Sequence, residues 1–229
     1  MTVIQLPEGL LKSLNVLPKQ TKIVGLIRHA ERYDIPADDF GNDVALMSVG
    51  IASSQLLADK LCERLVKLSS SPIKRCLQTA EILLTKAKCS AIQKNKLLGD
   101  PGIFITDRHQ AHTYFMEQKS IPDLVMHLLS EQPNPSGFCV STIKTTLKLI
   151  HILLTEITKA GISINITHDS ILSVVIGVIF NELSIEKLWP DYLEGIFFWQ
   201  QDDFLHCLYR GKHKCLLWNK EQLTLLANV

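Results

Sequence analysis

The sequence predicts an α/β fold with a doubly wound, largely parallel sheet. Short apolar runs that suit buried strands alternate along the chain with longer segments in which apolar residues recur at helical spacing. This alternation is typical of parallel strands joined by crossover helices. The 229 residues, 46% of them hydrophobic, can build one sizeable core, so we expect a single domain over residues 1–229.

The first strand is predicted over Lys22–Ile27, after a segment that Pro7 and Pro18 interrupt. This run, KIVGLI, is apolar and partly β-branched, as buried parallel strands are. It ends abruptly in charged residues. The charged cluster Arg28–Arg32 is therefore expected on the loop that follows the first strand.

Leucines at helical spacing predict a helix within residues 50–68. A second helix is expected to start at Pro72, because proline fits the first helical turn and the preceding serines, residues 69–71, can cap a helix.

The second half of the chain repeats the alternation. An amphipathic helix is predicted over residues 138–159, a strand over Ile162–Ile166, and another helix over Ile171–Phe180. Two more strands, 195–200 and 204–209, flank a polar turn. We expect these last strands to form an antiparallel edge of the sheet.

Residues 100–134 show the least regular pattern and are predicted to form a lid or insertion over the site. Within them, His109 and His112 have the spacing of two ligands on one helical turn, but no acidic or cysteine partner stands at metal-ligand spacing. We therefore expect no metal site there, and the alternative is that these histidines line the lid and meet substrate.

Charge and composition exclude several classes of partner. The 24 lysines and arginines nearly balance 23 aspartates and glutamates, so no global field favours nucleic acid or an anionic membrane. The longest apolar run is far shorter than the roughly 20 residues of a spanning helix.

The six cysteines form no CxxC pair, and no export signal is recognised. We expect reduced cysteines and a cytoplasmic protein, and the oligomeric state stays open.

Two clusters of chemically active residues follow predicted strands. In open α/β sheets ligands bind at the carboxyl ends of strands, where Arg28, His29, His168 and Asp169 are expected to lie. Arg75, on the second predicted helix, can reach the same edge. Guanidinium groups hold phosphate oxygens bidentately, and a neutral imidazole is a nucleophile, so this set suits phosphoryl transfer.

Four segments together resemble the histidine phosphatase superfamily. LIRHAER at Leu26–Arg32 resembles its RHG or RHA signature, LMSVG at Leu46–Gly50 its helix entry, SPIKRCLQTA at Ser71–Ala80 its SPxxRCxQTA segment, and Thr167–Asp169 its second histidine. LWPDYLEG, residues 188–195, resembles a late segment of small bacterial members. The resemblance implies a phosphoglycerate mutase-like fold, a three-layer α/β/α sandwich with a mostly parallel sheet.

The resemblance also implies a mechanism and its residues. His29 takes the phosphoryl group as phosphohistidine, Arg28, Arg75 and His168 bind its oxygens, and water then releases phosphate. The expected activity is hydrolysis of a phosphate monoester on a small phosphorylated substrate. No metal or other cofactor is required.

The proton donor depends on the branch of the superfamily. One branch has a carboxylate on a mid-chain loop, and the other has an aspartate directly after the second histidine. Asp169 matches the second, acid-phosphatase-like pattern, and Arg32 in RHxxR supports it as a further phosphate ligand, although Pro36 comes later than in that motif. We favour Asp169, with Asp100 as the rival on the mid-chain loop.

Two alternative functions remain open. One is a phosphotransferase of the phosphoglycerate mutase type, and the other is a non-catalytic protein of the same fold that binds a phospholigand or a partner.

Three aromatic residues, Trp189, Tyr192 and Trp199, are expected to serve packing, because no basic stripe accompanies them.

Overall fold

A computed structural model describes residues 4–36, 39, 41–118, 120–130 and 141–219. Its centre is a seven-stranded sheet. The strands are β1 Lys22–Arg28, β2 Leu65–Ser70, β3 Ile92–Lys94, β4 Gly161–Thr167, β5 Gly195–Gln201, β6 Phe204–Tyr209 and β7 Lys212–Leu217.

The sheet has the strand order β3-β2-β4-β1-β5-β6-β7. The first four strands in that order are parallel, and β5, β6 and β7 are added in antiparallel fashion. This is the predicted parallel sheet with an antiparallel C-terminal edge. The pairing of β1 with β4 sets Arg28 beside Thr167, so the two strands end side by side.

Helices cover both faces of the sheet. Alternate residues of β1 enter two separate cores, with Ile23 and Ile27 in one and Val24 and Leu26 in the other, as the two faces of a strand require. The expected three-layer α/β/α sandwich is therefore confirmed. The helices are α1 Glu8–Val16, α2 Ser48–Leu61, α3 Lys74–Leu84, α4 Arg108–Gln118, α5 Ile121–Leu129, α6 Thr142–Thr155, α7 Asp169–Phe180 and α8 Ile185–Leu188.

The C-terminal boundary of the helix predicted within residues 50–68 is wrong. The helix stops at Leu61, and residues from Leu65 belong to β2. Leu65 and Leu68 are both buried in the same core although they are three residues apart, because the register of β2 shifts between Leu65 and Lys67. A bulge of this kind gives a strand the i, i+3 spacing of a helix.

Other boundaries also differ from the sequence-based expectation. The serines at 69–71 are buried at the end of β2 instead of capping a helix, and α3 starts at Lys74. The 100–134 region holds two helices, α4 and α5, and a 3-10 turn, Lys96–Leu98, precedes it; residues 119 and 131–134 lie outside the described part. The helix predicted over 138–159 is shorter, Thr142–Thr155, with Ser141 as its N-cap and residues 156–159 outside the helix; residues 138–140 lie outside the described part.

The sequence did not predict the strands β3 and β7 or the helices α1, α4, α5 and α8. Within the part of the chain that the structure describes, no helix has the length and apolar character needed to cross a membrane.

Candidate active site

The ends of β1 and β4 bring two histidines together. The backbone N–H of His29 donates to the carbonyl oxygen of Thr167 at 3.0 Å, which continues the strand pairing by one residue. His168 follows directly on β4, and its ring centroid lies 5.6 Å from that of His29. The predicted convergence of the two clusters at one edge of the sheet is thus observed.

Arg75, near the start of α3, links the two histidines. Its Nε donates to Nε2 of His29 at 3.0 Å, and its Nη2 lies 3.0 Å from Nδ1 of His168. Its Nη1 donates to the carbonyl oxygen of Gly41 at 2.6 Å. Arg75 is 8% exposed, and each of its three guanidinium nitrogens makes one of these contacts inside the site.

These contacts fix the tautomer of both rings. Nδ1 of His29 lies 2.8 Å from the carbonyl oxygen of Ala30, which can only accept, so Nδ1 carries the proton and Nε2 keeps its lone pair. In His168 the donor from Arg75 makes Nδ1 the acceptor, so Nε2 carries the proton and donates to Oγ of Ser71 at 2.9 Å. The unprotonated nitrogen of His29 is therefore Nε2.

Both imidazoles are held neutral. Burial, together with His168 and Arg75, lowers the pKa of His29 well below its ordinary 6.5. Burial, with the charges of Arg75 and Arg28, lowers the pKa of His168 to about 3. A protonated imidazole in this position would be both desolvated and repelled by guanidinium groups. The lone pair of His29 is consequently available at neutral pH.

The last residue of β1, Arg28, is held by contacts from two directions. Its Nη2 lies 2.7 Å from Oδ2 of Asp169, and its Nη1 donates to the carbonyl oxygen of Pro190 at 2.7 Å. The guanidinium carbon lies 4.0 Å from the centroid of the Tyr192 ring, a cation–π contact. Its Nε is buried and has no acceptor among the described residues.

The two candidate proton donors have different surroundings. Oδ1 of Asp169 accepts the backbone N–H of Ser170 at 2.9 Å while Oδ2 pairs with Arg28, so both oxygens are engaged. Asp100 pairs through Oδ1 with the exposed Arg108 at 2.8 Å and lines the cavity described below.

The loop that bears Asp100 is fastened to the site. Oγ1 of Thr167 donates to the carbonyl oxygen of Leu98 at 2.7 Å. A Cβ at Gly99 would lie 2.5 Å from Nε2 of His168, so glycine permits the loop to pass directly against the ring. The backbone of Asp100 is thereby held next to the second histidine.

Arg32 is near the site, but among the described residues it hydrogen-bonds to neither histidine. Its Nη1 donates to the carbonyl oxygen of Tyr33 at 2.7 Å, and its Nε is buried without an acceptor within the described ranges. Its charge nevertheless contributes to the lowered pKa of Arg75, after burial, and to that of His168. Arg32 is therefore a neighbour of the site with a donor to spare.

The other residues of the recognised segments support the catalytic loop. Oγ1 of Thr79 accepts the backbone N–H of Ala30 at 3.1 Å, and Oε1 of Gln78 accepts that of Leu46 at 2.9 Å. A Cβ at Gly50 would lie 2.1 Å from the carbonyl oxygen of Glu31, so only glycine allows α2 to approach this loop.

A cavity of about 590 Å³ opens beside Arg75 and His168. The 100–134 region supplies much of its wall, and its role as a lid or insertion stays a prediction. His109 lines the cavity, whereas the side chain of His112 lies outside the described part. Most of the remaining lining is apolar: Ile73, Phe104, Ile105, Ile121, Leu124, Leu128 and Ile171.

Sequence reasoning missed two residues at the site. Tyr192 was assigned to packing, but its ring lies against Arg28 and 5.8 Å from the ring of His29. Ser71 was assigned to a helix cap, but it accepts the proton of His168. Tyr192 and Ser71 both lie in segments that resemble the family, and this position is the sequence feature that could have indicated a role at the site.

Comparison with known proteins gives one family. Residues 24–100 match the model of the histidine phosphatase superfamily (branch 1), whereas the sequence motifs had favoured the acid-phosphatase-like pattern. Human ubiquitin-associated and SH3 domain-containing protein A is 41% identical over 69 residues, which is 29% of this chain. The matched stretch spans only 10% of that relative's length.

Solved structures resemble the chain over most of its length. YhfR of Bacillus stearothermophilus aligns with 83% of this chain and 97% of its own, with a TM-score of 0.56 and 17% identity. Phosphoserine phosphatase of Entamoeba histolytica, solved with 3-phosphoglyceric acid, aligns with 88% of this chain and 99% of its own, with a TM-score of 0.54 and 16% identity. These likenesses support the phosphoglycerate mutase-like fold.

Proposed function

We propose that this chain is a member of the histidine phosphatase superfamily, whose family model residues 24–100 match, and that it hydrolyses a phosphate monoester through a phosphohistidine on His29. The family match supports phosphatase activity in general. The observation that carries the specific proposal is the lone pair on Nε2 of a buried, neutral His29 that faces a guanidinium donor. A nucleophile and an anion-binding group are thus in direct contact, which is the arrangement that phosphoryl transfer needs.

The phosphoryl group would be held by groups that now bond to one another. When phosphate oxygens take over the Nε and Nη2 donors of Arg75, the lone pair of His29 is released toward phosphorus. The free Nε of Arg28 and the Nε2 proton of His168 supply further donors, and Arg32 adds positive charge at the rim. Fixed donors of this kind stabilise the charge of the transferring group without reorganisation.

The first chemical step forms a bond from Nε2 of His29 to phosphorus and breaks the bond from phosphorus to the alcohol oxygen. The leaving oxygen takes a proton from a carboxylic acid. In the second step a water molecule loses its proton to the resulting carboxylate and attacks phosphorus, and Nε2 of His29 leaves. Phosphate is released and the acid is restored.

For the proton donor we propose Asp100, although the sequence had favoured Asp169, whose role is untested. Asp100 lines the cavity that the alcohol would occupy, and its only described partner is an exposed arginine. Protonation of Asp169 would remove the charge that pairs with Arg28, so the ion pair favours its carboxylate form over the acid. We therefore assign Asp169 to positioning Arg28.

The apolar wall of the cavity favours a monoester whose alcohol is itself apolar. Phe104, Leu124 and Ile171 offer contact surface to an aryl or alkyl group and few partners for sugar hydroxyls. The proposed substrate is a small phosphorylated molecule of this type.

Parallel assays test the function. An aryl phosphate and 3-phosphoglycerate are incubated with the wild type and with His29→Ala, and both inorganic phosphate and isomerised phosphoglycerate are measured. We expect phosphate release from the aryl ester by the wild type alone. Isomerisation without phosphate release would favour the mutase alternative, and inactivity on a broad panel of monoesters would favour the non-catalytic one.

A further inference from the structure

Three potential metal ligands meet on the hairpin of β6 and β7, away from the catalytic residues. They are His206, His213 and Cys215, and their donor atoms all lie within 4.8 Å of one another. The sequence offered no metal-ligand pattern among its cysteines and histidines. The cluster arises from strand pairing, which sets His206 directly opposite Cys215.

The turn between the strands fixes that pairing. Only Arg210 and Gly211 separate β6 from β7, and their φ values of 49° and 75° are those of a tight two-residue hairpin turn. His213 stands two residues from Cys215 and therefore projects from the same face of β7. All three ligands are thus on one face of a hairpin whose register is set locally.

The spacing of the donors suits a tetrahedral ion. Nδ1 of His206 lies 3.0 Å from Nε2 of His213. Sγ of Cys215 lies 3.5 Å from the first nitrogen and 3.8 Å from the second. Zinc bonds of about 2.0 Å to nitrogen and 2.3 Å to sulfur at tetrahedral angles place the ligand atoms about 3.3 to 3.6 Å apart. The two nitrogens now share a hydrogen bond, so an ion would replace that contact, with the imidazoles turned to direct both lone pairs at it and the three donors forming one face of the tetrahedron.

Trp199 on β5 holds the two imidazoles in place. Its ring stacks on His206 at 5.0 Å between centroids and on His213 at 5.5 Å, with interplanar angles of 13° and 9°. Stacking on Trp199 explains the positions of the two imidazoles. It does not explain why the thiol of Cys215 lies beside both of them. Cys215 and His213 are exposed, so an ion can reach them from solvent.

We propose that His206, His213 and Cys215 bind a thiophilic divalent transition-metal ion of the Zn²⁺ type, with water as the fourth ligand. Two imidazoles and a thiolate prefer zinc to the hard cations Mg²⁺ and Ca²⁺. Binding replaces the thiol proton of Cys215, which passes to solvent, by a bond from sulfur to the metal. The ion would fasten β7, the outermost described strand, to β6, which itself pairs with β5.

Titration with Zn²⁺ and Co²⁺ tests the site independently of phosphatase activity. The metal-free chain is compared with Cys215→Ser and His213→Gln, and with Cys89→Ser and His151→Gln as matched controls elsewhere in the fold. We expect one Zn²⁺ per chain, at least tenfold weaker binding in each ligand variant, and wild-type binding in both controls. Mg²⁺ should not compete.

Cobalt reports the sulfur ligand directly. The Co²⁺ complex should show a thiolate-to-cobalt charge-transfer band that Cys89→Ser keeps and Cys215→Ser loses. Zn²⁺ should also raise the melting temperature of the wild type more than that of either ligand variant. The site is refuted if Zn²⁺ uptake is the same in wild type and in ligand variants that remain folded, or if the charge-transfer band survives in Cys215→Ser.

Discussion

Arg75 donates its Nε–H to Nε2 of His29 across 3.0 Å. Through this contact one guanidinium both orients the proposed nucleophile, His29, and occupies its lone pair. The same side chain reaches His168 and the carbonyl oxygen of Gly41, so its position is determined by three other parts of the chain. The free site is therefore a closed network that a phosphate would open by substituting its own oxygens.

Replacing Arg75 by lysine should lower kcat/KM by roughly 10²- to 10³-fold, the typical loss when one fixed donor of a reacting site is removed. A single ammonium cannot span both histidines as the planar guanidinium does. Steady-state kinetics on an aryl phosphate measure the loss. Lys74→Ala, at the exposed neighbouring position, is the control and should stay near wild type. Equal activity of Arg75→Lys and wild type would contradict the role given to Arg75.

Leaving-group dependence should separate Asp100 from Asp169. General acid catalysis contributes roughly 10²- to 10⁴-fold, and a poor leaving group needs it most. Asp100→Asn should therefore lose far more kcat on an alkyl phosphate than on nitrophenyl phosphate. Asp169→Asn should lose similar factors on both, because it acts through Arg28. If only Asp169→Asn shows a loss that depends on the leaving group, Asp169 is the proton donor.

The ring of Tyr192 should matter more than its hydroxyl. Tyr192→Leu removes the cation–π contact with Arg28, worth about 0.5 to 2 kcal/mol, and should lower kcat/KM roughly 2- to 30-fold. Tyr192→Phe should remain close to wild type, and so should Tyr33→Leu at an exposed tyrosine. A larger loss in Tyr192→Phe than in Tyr192→Leu would show that the hydroxyl, and not the ring, is used.

Acid should destabilise the fold through its neutral histidines. The pKa of His168 falls from 6.5 to about 3 on folding, so between these values the unfolded chain binds a proton that the folded chain does not. Stability conferred by the neutral His168 is thus fully present above 6.5 and declines as the pH falls toward 3, by up to about 1.4 kcal/mol per pH unit. Urea unfolding at about pH 7 and about pH 5 measures the decline.

The variant His168→Gln isolates this contribution. Between those two pH values its unfolding free energy should fall by about 2 kcal/mol less than that of the wild type, since glutamine does not titrate. Identical declines in the two proteins would mean that His168 is already protonated in the fold near pH 5.

The sequence predicts the strand ends that present His29 and His168, because a short apolar run that stops at polar or charged residues is typical of a buried parallel strand. Hydrophobic periodicity fails at β2, because the bulge at Leu65–Lys67 gives this strand the apolar spacing of a helix. Periodicity places Arg75 on a helix that can reach this edge of the sheet, but its direct contacts with both histidines depend on tertiary packing.

Residues brought together by distant packing could not be predicted from local pattern. Tyr192 meets Arg28 because the 188–195 segment folds back over the end of β1, a contact between parts of the chain far apart in sequence. The cluster of His206, His213 and Cys215 depends on the register that the Arg210–Gly211 turn imposes on two strands. Two-residue hairpin turns usually have asparagine, aspartate or glycine at the position that Arg210 occupies, so the sequence does not indicate this turn.

Trapping the phosphoenzyme tests the central claim most directly. The wild type, His29→Ala and His168→Ala are mixed briefly with a ³²P-labelled monoester, quenched in alkali and digested, and the labelled peptide is identified. We predict an acid-labile, alkali-stable phosphate on His29 in the wild type and no label in His29→Ala. Label retained by His29→Ala, or found on another residue of the wild type, would contradict the assignment of His29 as the nucleophile.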